Sequence, residues 1–144
     1  RNLELLETEG NTFWKVAREL DLENKLKDKG NICLQGELIG EGIQGNPYKI
    51  KGQTVHFFNG FNIDTQTRMG INDFLVLLEE LELVSVPILD VAFLLPDTVE
   101  GMLKLAEDKS RLNNLTEREG IVVRSLDNTI SFKAISNKFL LSEK

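Results

Sequence analysis

Stretches rich in β-branched and aromatic residues, bounded by Gly, Asn and Asp, stand at both ends of two successive helical stripes instead of alternating with them. That distribution restricts the fold more than any other feature. The strand-like stretches cover residues 32–38, 54–63, 86–95, 120–124 and 129–135, and Leu126-Asp127-Asn128 reads as a hairpin turn between the last two. Phe13, Val16, Ala17 and Leu20 recur at helical spacing behind Asn11 or Thr12 as N-cap, with Gly30 closing a charged continuation from Glu23 to Lys29. Phe74, Leu77, Leu78 and Leu81 predict a second helix behind Asn72 or Asp73. Val99, Met102, Leu103 and Ala106 predict a third behind Asp97 or Thr98. Strict strand–helix alternation would mean a doubly wound parallel sheet; this order predicts an α+β fold with largely antiparallel sheets.

A chain of 144 residues builds one compact domain and is too short for two; with no repeat, low-complexity tract or linker, the span 1–144 reads as a single domain. Its formal net charge of -6, from 17 Lys plus Arg against 23 Asp plus Glu, excludes a protein that coats nucleic acid non-specifically. Such binding takes its energy from counterions displaced by many basic side chains, so contact with a phosphate must be local. Cys33, the single cysteine, rules out an intrachain disulfide or a multi-cysteine zinc site and sets a cytoplasmic expectation. No apolar run is long enough to span a membrane, and Arg1-Asn2-Leu3 opens no signal-peptide core. A start at Arg rather than Met suggests a processed or trimmed piece.

Four segments put polar or charged residues where strand periodicity asks for apolar ones. In the first, a strand ending in Glu37 runs into a loop containing Gly40, Gly42 and Gly45. Glycines allow close backbone approach to a ligand, and a carboxylate at a strand end can accept from ribose hydroxyls or hold a metal; an ordinary turn explains the pattern equally well. In the second, His56-Phe57-Phe58-Asn59-Gly60-Phe61-Asn62-Ile63, adjacent aromatics beside small residues offer a stacking platform for a base, with core packing the default for any one ring. His56, the only histidine, reads as a strand residue on a half-exposed face. The third is Glu119-Gly120-Ile121-Val122-Val123-Arg124. In the fourth, Phe132, Ala134 and Ile135 imply a largely desolvated strand in which Lys133 needs an anion; the alternative is an edge-strand lysine reaching solvent.

Taken in order, these segments resemble the later motifs of the covalent nucleotidyltransferase superfamily, most closely ATP-dependent RNA ligases of the RNA ligase 2 type, over the whole chain. Gly36-Glu37-Leu38, running on to Gly42-Ile43-Gln44-Gly45-Asn46, is similar to the family's Gly-Glu-Leu segment, whose glutamate contacts the nucleotide ribose. Phe57-Phe58-Asn59-Gly60-Phe61-Asn62-Ile63 matches motif III, which sets an aromatic ring over adenine; counting back from Ile63 gives Phe58, with Phe57 as the alternative. Glu119-Gly120-Ile121-Val122-Val123-Arg124 matches motif IV, whose glutamate supports the catalytic metal. Phe132-Lys133 with Lys138-Phe139 resembles motif V, whose lysine neutralises phosphate. Arg1-Asn2-Leu3 resembles the short Ser-Arg-Asn segment after motif I, whose arginine contacts the nucleotide or the RNA end.

The resemblance implies an antiparallel-sheet adenylyltransferase domain that uses ATP with Mg2+ or Mn2+. It forms a lysyl-adenylate, passes AMP to an RNA 5'-phosphate and seals that end to a 3'-hydroxyl. RNA ends are the implied partners, and Glu119, Lys133 and Lys138 the implied catalytic groups. Two departures stand out. Ile135 occupies the place of a second motif V lysine found in some members, and no Lys-x-Asp-Gly string of motif I is present. Lys27-Asp28-Lys29-Gly30 has the wrong order and reads as a solvated helix end, so the nucleophile is expected upstream of Arg1, and this piece alone is expected to be inactive. DNA ligases and mRNA capping guanylyltransferases share motifs III to V, and a non-catalytic nucleotide- or RNA-end-binding module is the reading from another class.

Overall fold

The structure, a computed structural model, describes residues 5–142. Two antiparallel sheets and five helices make up these residues, as the α+β expectation requires. Helix α1 (Thr12–Glu19) starts at Asn11, whose side-chain oxygen accepts from the backbone N–H of Phe13 and Trp14 and whose amide donates to the Leu6 carbonyl. The charged continuation does not prolong α1. Asp21 takes a left-handed conformation (φ 53°), breaks the helix and starts the one-turn α2 (Leu22–Leu26), its carboxylate accepting from the Asn24 side chain at 2.7 Å.

Strands β1 (Ile32–Gly40) and β2 (Gln53–Asn62) form a long antiparallel ribbon, extended by the two-residue β3 (Thr67–Arg68), which propensity did not reveal. Helix α3 (Ile71–Glu80) packs on one face of the ribbon, so that Phe57, Phe74, Leu78, Leu81 and Leu83 form the buried core with Leu34, Val55 and Met69 around it. Its N-cap is Gly70, not Asn72 or Asp73, both of which lie inside the helix. At its other end Glu82 turns left-handed (φ 50°) and the N–H of Leu83 bonds the Leu78 carbonyl at 2.8 Å, a Schellman closure that folds Leu83 back onto Leu78 in the core.

Residues 86–95 do not form the expected strand. The N–H of Phe57 bonds the Val84 carbonyl and the N–H of Val86 bonds the Phe57 carbonyl, each at 2.8 Å, but the ladder stops after this one bridge. Pro87 follows at once and has no N–H to continue it. Helix α4 (Val99–Ala106), capped by the Thr98 hydroxyl, leads to a second sheet of β4 (Gly120–Arg124) and β5 (Ser131–Ile135). The hairpin turn is where the sequence put it: Asp127 accepts from the N–H and hydroxyl of Thr129 and the Ser125 hydroxyl, and Asn128 is left-handed (φ 59°). A short α5 (Asn137–Ser142) follows, in part of the stretch read as motif V.

Candidate nucleotide site

The register of the β1–β2 ribbon separates the two adjacent rings. Gln35 pairs with Asn59 and Gly36 with Phe57, leaving Phe58 unpaired in a β-bulge. Phe57 turns into the core at 4% exposure, so of the two candidate rings only Phe58, at 38%, lies on the surface. Gly36 is required beside it: a Cβ there would lie 2.4 Å from Val55 Cγ1 and 3.1 Å from the Phe57 ring. Next to the bulge the buried Asn59 donates to Gln35 Oε1 at 2.7 Å. Arg124, at the end of β4, donates from Nη1 to the Phe58 carbonyl at 3.0 Å and to Asn59 Oδ1 at 3.4 Å, tying the second sheet to the bulge of the first.

Glu37 is exposed on β1, directly across from His56. Burial pushes the His56 imidazole below its ordinary value, and its Nδ1 is buried without a hydrogen-bond partner. The glycine-containing loop after β1 is built, not slack. Asn46 brackets it by donating to the Ile50 carbonyl at 2.9 Å and accepting from the Ile50 N–H at 3.1 Å, and Gln44, Gly45, Asn46 and Lys49 all take positive φ. The Pro47 carbonyl accepts from Asn113 Nδ2 at 2.8 Å and Thr116 Oγ1 at 3.0 Å, fixing the loop against the approach to β4. Tyr48, next in the loop, has its phenol pushed up first by burial and then by the negative charges of Glu37 and Glu119.

Glu119 forms an ion pair with Lys133 across the β4–β5 hairpin, and its carbonyl accepts from the N–H of the fully buried Ser136 at 2.8 Å. Gly120 follows because nothing larger fits: a Cβ would lie 2.1 Å from the Ala134 carbonyl oxygen. The expectation of a largely desolvated lysine does not hold. Lys133 is 44% exposed and its anion is Glu119, because β5, one of only two strands in its sheet, leaves its side chains mostly open to solvent. Lys138, on α5, pairs instead with Glu107 at 3.4 Å beside the end of α4. Arg1 lies outside the described residues.

Among the described residues no group of three or more His, Cys, Asp or Glu side chains is placed to hold a metal ion. Glu119 is a single carboxylate, which suits a hard divalent cation that takes its remaining ligands from phosphate and water. A surface depression of about 360 Å³, lined by residues such as Glu7, Asn11, Trp14 and Arg18, includes none of the residues singled out above. Among the described residues no helix is long and apolar enough to cross a membrane. Tyr48, Asn59 and Arg124 carried no signal of their own in the sequence; only Tyr48, the single tyrosine and set inside the glycine-containing loop, could have been suspected.

No curated protein matches the chain. Solved structures of the Naegleria gruberi RNA ligase do. A mutant of that enzyme with ATP and Mn superposes with a TM-score of 0.92 at 40% identity, covering 99% of this chain and 44% of that one. A mutant with AMP and Mn gives 0.91 at 40% identity, with 99% and 44% covered, and the ligase with PPi gives 0.92 at 40%, with 99% and 43% covered. The chain thus spans less than half the length of the enzyme it matches, and its fold is that of part of an RNA ligase nucleotidyltransferase domain. A family model for RNA ligase matches residues 1–139, and with that match over nearly every residue this chain belongs to the RNA ligase family.

Proposed function

We propose that residues 1–144 are the greater part of an adenylyltransferase domain of an ATP-dependent RNA ligase, acting on RNA ends in the cytoplasm. The observation that carries this reading is the Glu119–Lys133 ion pair, a carboxylate set beside an ammonium, with Glu37 and the Phe58 ring exposed on the β1–β2 ribbon. Glu37 accepts from the ribose hydroxyls and the exposed Phe58 ring stacks on the adenine, which positions the α-phosphate. Glu119 holds the divalent metal, which when bound polarises a phosphoryl oxygen. Lys133 then turns its ammonium from Glu119 to that phosphate, where negative charge grows as a lysine outside these residues attacks the α-phosphorus, the bond to the β-phosphate breaks and pyrophosphate leaves. Lys138 adds a second cation for the phosphates, and Arg1 contacts the nucleotide or the RNA end. AMP passes from the lysyl-adenylate to an RNA 5'-phosphate and leaves when a 3'-hydroxyl attacks.

The test has two arms. The 144-residue chain should bind ATP in the presence of Mg2+ or Mn2+ yet take up no covalent label from α-labelled ATP on a denaturing gel, since it contains no Lys-x-Asp-Gly string. The protein extended upstream to such a string should take up label. Label on a lysine of the 144-residue chain would overturn the assignment of the nucleophile, and failure of the extended protein to label would leave a non-catalytic binding module.

A further inference from the structure

Arg68 and Arg124 come from different sheets to the same place. Residues opposite one another in an antiparallel pair share a face, as do residues two apart on a strand. Arg68 pairs with Phe61, and Phe61 is two residues from Asn59, so Arg68 stands on the sheet face to which Arg124 bonds Asn59 and the Phe58 carbonyl. Its neighbour Met69 points the other way, toward Gly60 and the core. The second sheet also reaches the residue after Arg68: Asn128, in the β4–β5 turn, donates to the Met69 carbonyl at 3.0 Å. Among the described residues neither arginine forms a salt bridge, although seven other basic side chains do.

We propose that Arg68 and Arg124 form a binding site for a phosphate oxyanion beside Phe58, distinct from the Glu119–Lys133 pair. Bringing two guanidiniums together without a carboxylate is unfavourable until an anion arrives, and a phosphate presents the oxygens that two planar forks can share. The proximity is felt at Arg124, whose basicity is lowered first by burial and then by the charge of Arg68. Arg124 spends Nη1 on Phe58 and Asn59, so its remaining N–H groups and the exposed Arg68 would make the contact. The phosphate belongs either to an RNA strand or to the nucleotide, and the proposal rests on the ligase reading given above.

Fluorescence anisotropy with a labelled 5'-phosphorylated RNA, and separately with a labelled ATP, distinguishes the sources. Arg68→Gln is the main variant because Arg68 is exposed and its loss should leave the fold intact; Lys104→Gln, on α4, makes the same change of charge elsewhere. An RNA phosphate is indicated if Arg68→Gln weakens RNA binding on the order of tenfold and lowers the salt slope by about one, with ATP unchanged and Lys104→Gln nearly silent. Loss for ATP alone indicates a nucleotide phosphate. Arg68→Gln matching Lys104→Gln with both ligands, while the wild type binds them, overturns the anion site and leaves the ligase reading standing. A wild type that binds neither ligand removes both.

Discussion

The Lys133 ammonium rests on the Glu119 carboxylate, joining the residue that precedes β4 to the middle of β5. Both side chains are close to half exposed, at 44% and 48%. A pair so open to water contributes at most about 1 kcal/mol to folding. Lys133→Ala should therefore leave the midpoint of denaturant unfolding almost unmoved. In the intact ligase it should slow adenylylation at saturating ATP by roughly two to three orders of magnitude, with Lys133→Arg restoring part of the rate. Pre-steady-state labelling across an ATP titration gives the answer; wild-type rates in Lys133→Ala would remove this lysine from the chemistry.

Phe57 and Phe58 should respond in opposite ways. Phe57→Ala empties a core position and should cost about 3 to 5 kcal/mol of stability. Phe58→Ala should leave stability nearly unchanged and weaken ATP binding by about 1 to 3 kcal/mol. Urea unfolding and calorimetric titration, run on both variants, check the pair. Wild-type ATP affinity in the Phe58→Ala variant would show that the ring does not stack.

The single tyrosine reports on the charges of Glu37 and Glu119. Burial and two carboxylates raise its pKa above the ordinary 10.0, so phenolate absorbance should titrate above that value. Glu37→Gln and Glu119→Gln should each lower the midpoint, because each removes a negative charge that opposes ionisation. A midpoint indifferent to both would show that the carboxylates do not converge there.

His56 sets a pH dependence of stability. Its folded pKa lies below the unfolded value near 6.5, so as pH falls through 6.5 the unfolded chain takes up the proton first and folding weakens. The loss ends once pH passes the folded pKa, and above the unfolded value the full stability is present. Denaturation measured at intervals across this window should show a slope that His56→Gln removes; an unchanged slope would assign it to other groups.

Gly120→Ala should disrupt the second sheet, since the new methyl would meet the Ala134 carbonyl oxygen at 2.1 Å in a backbone position with φ 158°. Hydrogen exchange should show protection lost in β4 and β5 while the Phe57 core stays closed. Protection retained in both strands would mean that the hairpin shifts to accept the methyl.

Helices α1, α3 and α4, the two strand stretches of the ribbon and the Asp127-Asn128 turn were legible because each is decided within a few residues, by apolar spacing, strand composition, a capping side chain or a turn residue. The order of the motifs was legible for a similar reason: the Gly-Glu-Leu and Glu-Gly segments need their glycines where a Cβ would strike the paired strand. What lay beyond the sequence depends on partners far along the chain. Residues 86–95 have strand composition but, after one bridge to Phe57, meet Pro87 and find no further pairing. Lys133 sits in an apolar string, yet its exposure was set by how few strands its sheet contains. Composition and spacing determined most of the elements, because those signals are local, and the family rested on the resemblance of short motifs taken in order. Which of two neighbouring phenylalanines faces out and which residues of the first sheet Arg124 bonds were decided by a one-residue bulge and the docking of the two sheets. Such relations exist only once distant segments are in contact.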